Sequence, residues 1–492
     1  MLTNIKSYLD TVCEQIHFQK AHNFVKKELQ DHIIDQTDAF IQQGFEKEIA
    51  VQKAIEQMGD PVLVGTELDR VHRPAMKWSF IVFVILFSLA SFALKWIILP
   101  QNAELNMPIT KIILRTVMGI LTSTITIVLF YKIDFTVLAN RSFKIYFCYV
   151  LLIGFLFFYG PVYGIQYRSR IFLYGFMIPP LIYFFPVILT GLLYDCRGKS
   201  YSAILLCAAS FLPPAFFSIH MANGTATFII AGINLLLILY AICKGWFSIN
   251  KRNALLILFV LMVLSGVFVC FLSPEFIYRI SRIYISIKDI NTDWIRNTLQ
   301  HNVKGAALFG EGNSFSYYGA DGKFIELTPT VQYLGTEYFV NYALHYFGWI
   351  VFILSLAIYT FFIVKAFILA HKEKSQLGSM TAYAILLTIS VIAVWNIVCT
   401  SGYFITINPL ELPFFSSAST INTVYCALMG ILLSVFRIGK YTSDEAIECI
   451  QTVHKNNGLF ELKRNKEEFS ITIHLKKAPK SQNCQKGEDL LE

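Results

Sequence analysis

Ten apolar stretches, each about 20 residues long and so able to cross a bilayer, punctuate this chain and dictate what it can fold into. They lie near 78–99, 109–131, 143–163, 173–194, 202–219, 224–243, 253–273, 344–369, 380–402 and 415–436. Hydrocarbon offers no partner to backbone N–H and C=O groups, so runs of this length must close their hydrogen bonds internally, as helices. The expectation is an all-α integral membrane protein with about ten transmembrane helices and a small N-terminal cytosolic helical domain. Pro179-Pro180 and Pro213-Pro214 fall inside two of the runs and should kink them.

Composition agrees. Of 492 residues, 55% are hydrophobic and 15% charged, which excludes an ordinary soluble enzyme. The net charge of +8 belongs in cytoplasmic loops and implies no nucleic-acid partner. Lys132, Arg141 and Lys144 follow the second run, Arg197 and Lys199 the fourth, and Lys244, Lys251 and Arg252 the sixth. Lys372 and Lys374 follow the eighth, and Arg437 and Lys440 the tenth. All fall on one side, which the positive-inside rule makes the cytoplasm, with Arg168 and Arg170 as the minority against it. Both termini are then cytoplasmic. The first apolar run begins only near Trp78 and should act as an uncleaved anchor.

Three regions follow. Residues 1–76 are polar, with helical spacing over Leu2–Ile16, Ala21–Gln43 and Lys47–Gln57. Gly59 is a helix stop, and Asp60-Pro61 a restart with Asp as N-cap and Pro as first helical residue. Residues 77–437 are the membrane domain, with a long external loop over 274–336. That loop holds two amphipathic pieces, Phe276–Ile287 and Asp293–Val303, suited to the membrane interface. Residues 438–492 are a cytosolic tail in which Ser443–His454 reads as helix and Phe469–Leu475 alternates like a strand. The ten cysteines form no CxxC pair and none lies in the external loop, so neither a zinc site nor a disulfide framework is expected.

Transporters place ionisable groups near the midplane, and here the span centres hold almost none. Polar interest gathers on the outer side instead: Glu337, which opens the eighth span; Lys111 and Arg115, four apart on one helix face; the 274–336 loop; and the 403–414 loop with Glu411. A carboxylate at a membrane boundary is costly unless paired, hydrated or used. Glu337 could also simply profit from the positive end of a helix dipole, and Lys111 and Arg115 could be headgroup anchors. Gly310 and Gly312 read as a turn, His345 as a packing residue, Glu411 as solvated and Asn396 as a helix–helix hydrogen bonder.

Four segments together resemble the SEDS family, the FtsW/RodA/SpoVE group of cell-wall polymerases. Phe276-Ile277-Tyr278-Arg279-Ile280-Ser281-Arg282-Ile283 is similar to its basic segment after span seven, and Ala306 through Leu308-Phe309-Gly310-Glu311-Gly312 to its GLFGxG turn. Pro329 through Glu337-Tyr338-Phe339, then Phe347-Gly348-Trp349, resembles its P…HTD[FY]IF…G[FW] region, and Leu412-Pro413-Phe414-Phe415-Ser416 its LPFISYGGSS turn. The match covers roughly 78–437, and the prefix resembles the permease-prefix domain of some Firmicute members. The chain departs from the pattern in carrying Glu337 for Asp, in losing both glycines after Ser416, and in lacking the carboxylates of spans four and six.

The resemblance implies a peptidoglycan glycosyltransferase that polymerises lipid II on the outer face of a bacterial plasma membrane, in division, elongation or sporulation. Glu337 would be the catalytic base. Lys111, Arg115, Arg279, Arg282, Gly310, Gly312, Pro413 and Ser416 would bind substrate, the basic ones at the pyrophosphate. A divalent cation (Mg or Mn) could assist, though no cofactor is required by the pattern. The implied partners are lipid II itself and a class B penicillin-binding protein, since the external loop has no S-x-x-K nucleophile motif of its own. Two other classes stay open: a catalytically degenerate scaffold regulating a transpeptidase, and a flippase or transporter of the lipid-linked precursor.

Overall fold

A computed structural model describes residues 2–18, 21–72, 78–98, 109–159, 162–163, 169–172, 176–177, 179–220, 224–272, 294–312, 316–318, 324–326, 338–403, 410–414, 419–439, 460–464 and 469–473. The prefix folds as four helices: α1 (Leu2–Glu14), α2 (His22–Gln42), α3 (Lys47–Met58) and α4 (Pro61–His72). Gly59 ends α3 at φ +86°, a left-handed conformation that glycine adopts without strain. The Asp60 carboxylate accepts from the Val62 N–H at 3.1 Å, capping α4 as its sequence requires. Val12, Ile16, Ala21, Val25, Ile33 and Ala54 form the core of this bundle. The His17 backbone N–H donates to Asp69 at 2.9 Å and ties α4 to the α1–α2 turn.

Each of the ten apolar stretches holds helix in whole or in part: α5 (Trp78–Ile98), α6 (Ile109–Lys132), α7 (Val137–Tyr159), α8 (Phe185–Asp195), α9 and α10 (Tyr201–Ala209 and Leu212–His220), α11 (Gly224–Cys243), α12 (Lys251–Leu272), α14 (Phe339–His371), α15 (Gln376–Thr400) and α16 (Ser419–Ile438). Among the described residues six helical segments, one of them α9 and α10 taken together, are long and apolar enough to cross a membrane, and three shorter apolar helices accompany them. This is a polytopic, predominantly helical membrane protein.

The two proline pairs behave differently. Pro213-Pro214 opens α10 and splits the fifth stretch in two, as expected. Pro179-Pro180 does not kink a running helix. It starts a 3-10 turn (Pro179–Phe184) that leads into α8, while the preceding residues pair as short antiparallel strands, β1 (Val162–Tyr163), β2 (Ser169–Phe172) and β3 (Phe176–Met177). The fourth span therefore begins at residue 179 and not near 173, because proline is well tolerated in a first helical turn and costly further in.

The centre of the bundle is α8, whose residues Phe185–Tyr194 are all buried, packed against α11 and α15. Thr190 on α8 and Thr381 on α15 share a hydrogen bond of 3.1 Å inside it, a typical way for polar residues to join helices in lipid. α6 and α16 touch along their backbones: a Cβ on Gly430 would stand 2.8 Å from the Ile127 carbonyl. At the end of the bundle that carries the α14–α15 turn, Phe18 of the prefix packs against both hydrophobic cores, and the Lys374 ammonium lies 5.6 Å over the Phe24 ring.

Of the external loop, the described residues include α13 (Trp294–Gly305), where the sequence placed the second amphipathic piece, and the hairpin β4 (Ser316–Tyr318) with β5 (Phe324–Glu326). In the tail, the expected strand appears as β7 (Phe469–Ile473), paired antiparallel with β6 (Phe460–Arg464). Phe276–Ile287 and Ser443–His454 lie outside the described residues.

Candidate functional site

The site forms at the end of the bundle where α14 begins, and its foundation is a break in that helix. Gly348 has φ +80° and ψ 174°, a region of the map open essentially to glycine alone. The break robs the flanking residues of their i→i−4 partners, and an unpaired backbone group at membrane depth is expensive. The segment 305–312 supplies the replacements. Gly312 and Gly310 donate to the carbonyls of His345 and Phe347 at 2.9 and 3.2 Å. Trp349 and Ile350 donate to the carbonyls of Ala307 and Leu308 at 3.0 and 3.1 Å. The fit leaves no space for side chains: a Cβ on Gly348 would lie 2.8 Å from the Ala307 and Leu308 carbonyls, and one on Gly312 2.5 Å from the Gly305 carbonyl. Gly310 turns the segment at φ +83°.

A chain of buried amides then runs from α13 through α14 and α15 to the 410–414 loop. Asn302 Nδ2 donates to Asn341 Oδ1 at 3.0 Å. Asn341 Nδ2 in turn donates to the Thr400 carbonyl at 3.0 Å and the Leu299 carbonyl at 3.3 Å. The Thr400 hydroxyl donates to the Asn396 carbonyl at 2.7 Å, and Asn396 Nδ2 to the Leu410 carbonyl at 2.5 Å. Asn302, Asn341, Asn396 and Thr400 are all buried. In low dielectric each of these hydrogen bonds is strengthened, so together they set the 410–414 loop at a fixed place relative to the start of α14. Gln300 Nε2 adds a bond of 2.9 Å to the Gly402 carbonyl beside it.

The loop carries two unusual residues. Glu411 is only 8% exposed, a correction to the solvated role that its loop position suggests. It is close enough to Tyr425 of α16 to interact with it electrostatically. Phe414 has φ +64° and is the one non-glycine residue with positive φ among the described residues. Pro413 followed by a positive φ is the order used in a type II turn, where glycine or asparagine normally takes the second place. The Phe414 ring is fully buried, 6.0 Å from the Tyr425 ring and 6.3 Å from Phe83 of α5. Tyr183, from the 3-10 turn before α8, stacks on Tyr425 at 5.5 Å. Tyr359 of α14 meets Phe83 at 6.0 Å, and its hydroxyl is buried with no hydrogen-bond partner among the described residues.

The residues singled out from sequence fall as follows. Gly310 and Gly312 lie in the helix-break lock, which gives both a backbone role. Pro413 is buried in the strained turn, and Lys111 and Arg115 lie in the first two turns of α6. Glu337, Arg279, Arg282 and Ser416 lie outside the described residues. Glu337 directly precedes Tyr338, which is buried and occupies the N-cap position of α14. His345, two turns beyond Glu337, is buried and gives its carbonyl to the lock. Asn302, Asn341, Tyr183 and Tyr425 were not anticipated. The one available signal was an asparagine in an otherwise apolar helix start, which in membranes marks a hydrogen bond between helices. Among the described residues no group of three or more His, Cys, Asp or Glu side chains comes together.

No family model and no curated protein matches this chain. Solved structures do. A chain of a peptidoglycan synthase complex, from work on the structural coordination of polymerization and crosslinking, superposes with a TM-score of 0.54 at 16% identity, covering 75% of this chain and 99% of that one. The rod shape determining protein RodA of Thermus thermophilus aligns with a TM-score of 0.46 at 13% identity, and a single-residue variant of it with 0.45 at 14%; each covers 74% of this chain and 98% of the other. Likeness at such identity speaks of the fold alone: this chain shares the fold of that chain of the synthase complex.

Proposed function

We propose that this protein is a SEDS-type glycosyltransferase that polymerises lipid II (undecaprenyl-pyrophosphoryl disaccharide-pentapeptide) on the outer face of a bacterial plasma membrane. The observation that carries the reading is the fold shared with a chain of a peptidoglycan synthase complex over 75% of this chain. The buried Asn302–Asn341–Thr400–Asn396 chain supports it, since it joins the start of α14, next to Glu337, to the 410–414 loop.

In this reading the acceptor sugar hydroxyl donates its proton to the Glu337 carboxylate as its oxygen attacks the donor's anomeric carbon. The bond from that carbon to the pyrophosphate breaks, and the lipid pyrophosphate leaves with the electron pair. The configuration inverts. Lys111 and Arg115, with Arg279 and Arg282, neutralise the leaving phosphates. Pro413 and Ser416 border the same cleft, and Gly310 and Gly312 shape it through the helix-break lock. Cross-linking of the product falls to a class B penicillin-binding protein bound alongside, with both termini of this chain in the cytoplasm.

Glu337 reaches about 1.5 Å further than an aspartate, and a misplacement of about 1 Å can cost roughly a hundredfold in rate. The test is polymerisation of labelled lipid II by the purified protein, with and without a cognate transpeptidase, alongside Glu337→Ala and Glu337→Asp. Glycan chains from the wild type that disappear in Glu337→Ala establish the enzyme and its base. A folded, partner-bound wild type that makes no polymer ends the enzymatic reading in favour of a scaffold.

A further inference from the structure

The segment 305–312 presents its two largest side chains outward: Leu308 and Phe309 are each 74% exposed. In a solvated loop, adjacent residues of this size would be a liability. Their level along α14 says what surrounds them. The apolar span in α14 runs over Ala343–His371. The segment pairs first at His345, through Gly312, and last at Ile350, through Leu308. At 1.5 Å per residue the span's 29 residues make about 43 Å, more than a hydrocarbon core of about 30 Å, so Ile350, about 10 Å inside its start and about 32 Å from its far end, lies at the outer edge of that core. The exposed apolar stripe of α14, Ile350, Ile353 and Leu354, continues directly from the tip, so the patch is continuous with a surface that faces lipid. Charges bracket it: Lys304 and Glu311 are exposed at the two ends, and nothing between them is charged.

We propose that 305–312 is a re-entrant element whose Leu308–Phe309 tip is immersed in the acyl chains of the bilayer, so that the membrane itself seats the start of α14. Irregular backbone is tolerated at that depth only when its polar groups are bonded by protein, and the four bonds to His345, Phe347, Trp349 and Ile350 meet that demand. The occupant is bulk lipid: the tip adjoins the lipid-facing stripe of a span. This goes beyond glycosyl transfer and rests only on the membrane reading.

The experiment uses the full chain in nanodiscs of phosphatidylcholine and phosphatidylglycerol. Phe309→Trp is compared with the wild type, whose six tryptophans supply the background. Leu308→Trp, made separately, reports the same depth should the first variant misfold. The added emission is expected to be blue-shifted, to lose most of its intensity when the acyl chains are brominated, and to resist aqueous acrylamide. Quenching by acrylamide with none from brominated lipid overturns the proposal and returns the tip to solvent. Protection from both quenchers overturns it too, because the tip is then covered by protein. The readout needs no substrate, so its failure is separate from any failure of the polymerase reading.

Discussion

Phe414 shows how a single residue weighs opposing terms. A non-glycine residue in left-handed conformation costs about 1–2 kcal/mol. Removing a fully buried Phe ring costs about 3–5 kcal/mol. The ring wins, which is why the turn keeps Phe where a bare backbone argument would choose glycine. A sign follows. Phe414→Ala loses the ring and keeps the strain, whereas Phe414→Gly loses the ring and releases it. Both variants are expected to unfold at lower temperature than the wild type in detergent, with Phe414→Gly the more stable by about 1–2 kcal/mol. Equal stability, or Ala above Gly, would mean that φ at this position is not positive. Glu411 is the neighbouring lesson. Its position between apolar residues in a loop suggests exposure, and its burial beside Tyr425 arises from the amide chain that draws Leu410 inward.

At the scale of elements, two sequence segments 33 residues apart, ending at Gly312 and beginning at His345, prove to be halves of one lock. Gly310 and Gly312 were legible alone as a turn, and Gly348 only as part of a family-like segment. Their pairing was not, because backbone hydrogen bonds leave no side-chain pattern and the only trace is the absence of a Cβ at Gly312 and Gly348. Gly348→Ala is expected to break the lock, since alanine neither tolerates φ +80° with ψ 174° nor fits against the Ala307 carbonyl. Hydrogen exchange is the measurement: the amides of Gly310, Gly312, Trp349 and Ile350 should lose protection together while those of α15 keep theirs. Unchanged protection at all four would show that the loop is held by something else. The prolines teach the converse. Pro179 reads locally as a kink within an apolar run, yet β2 and β3 claim the residues ahead of it and leave it to begin a helix.

For the whole molecule, the basic residues between spans lead to a definite topology. Reporters fused at residue 1 and residue 492 are expected to behave as cytoplasmic, with green fluorescent protein emitting and alkaline phosphatase inactive. Phosphatase inserted within 274–336 is expected to be active. A periplasmic-type signal from either terminus would invert the bundle and move the α14 end, with its amide chain and aromatic cluster, to the cytoplasmic face, where the proposed chemistry has no place. The contacts of Phe18 and Phe24 with the membrane domain put the prefix on the opposite end from that site. That separation gives it no direct part in the proposed chemistry.

What the amino-acid sequence determined by itself is what averages over about one helix: the membrane class, the apolar stretches within which helices form, and the α3–α4 boundary at Gly59-Asp60-Pro61. Transfer of some twenty apolar residues into lipid is a sum over side chains and is insensitive to which helices are neighbours. The tertiary structure decided what depends on particular distant partners. It spliced 305–312 into the break of α14, carried Asn341 to Thr400 and Asn396 to Leu410, and buried Glu411 and Phe414 against Tyr425. Those outcomes turn on contacts of an ångström's tolerance between segments far apart in the chain, and each residue's own chemistry is compatible with either answer.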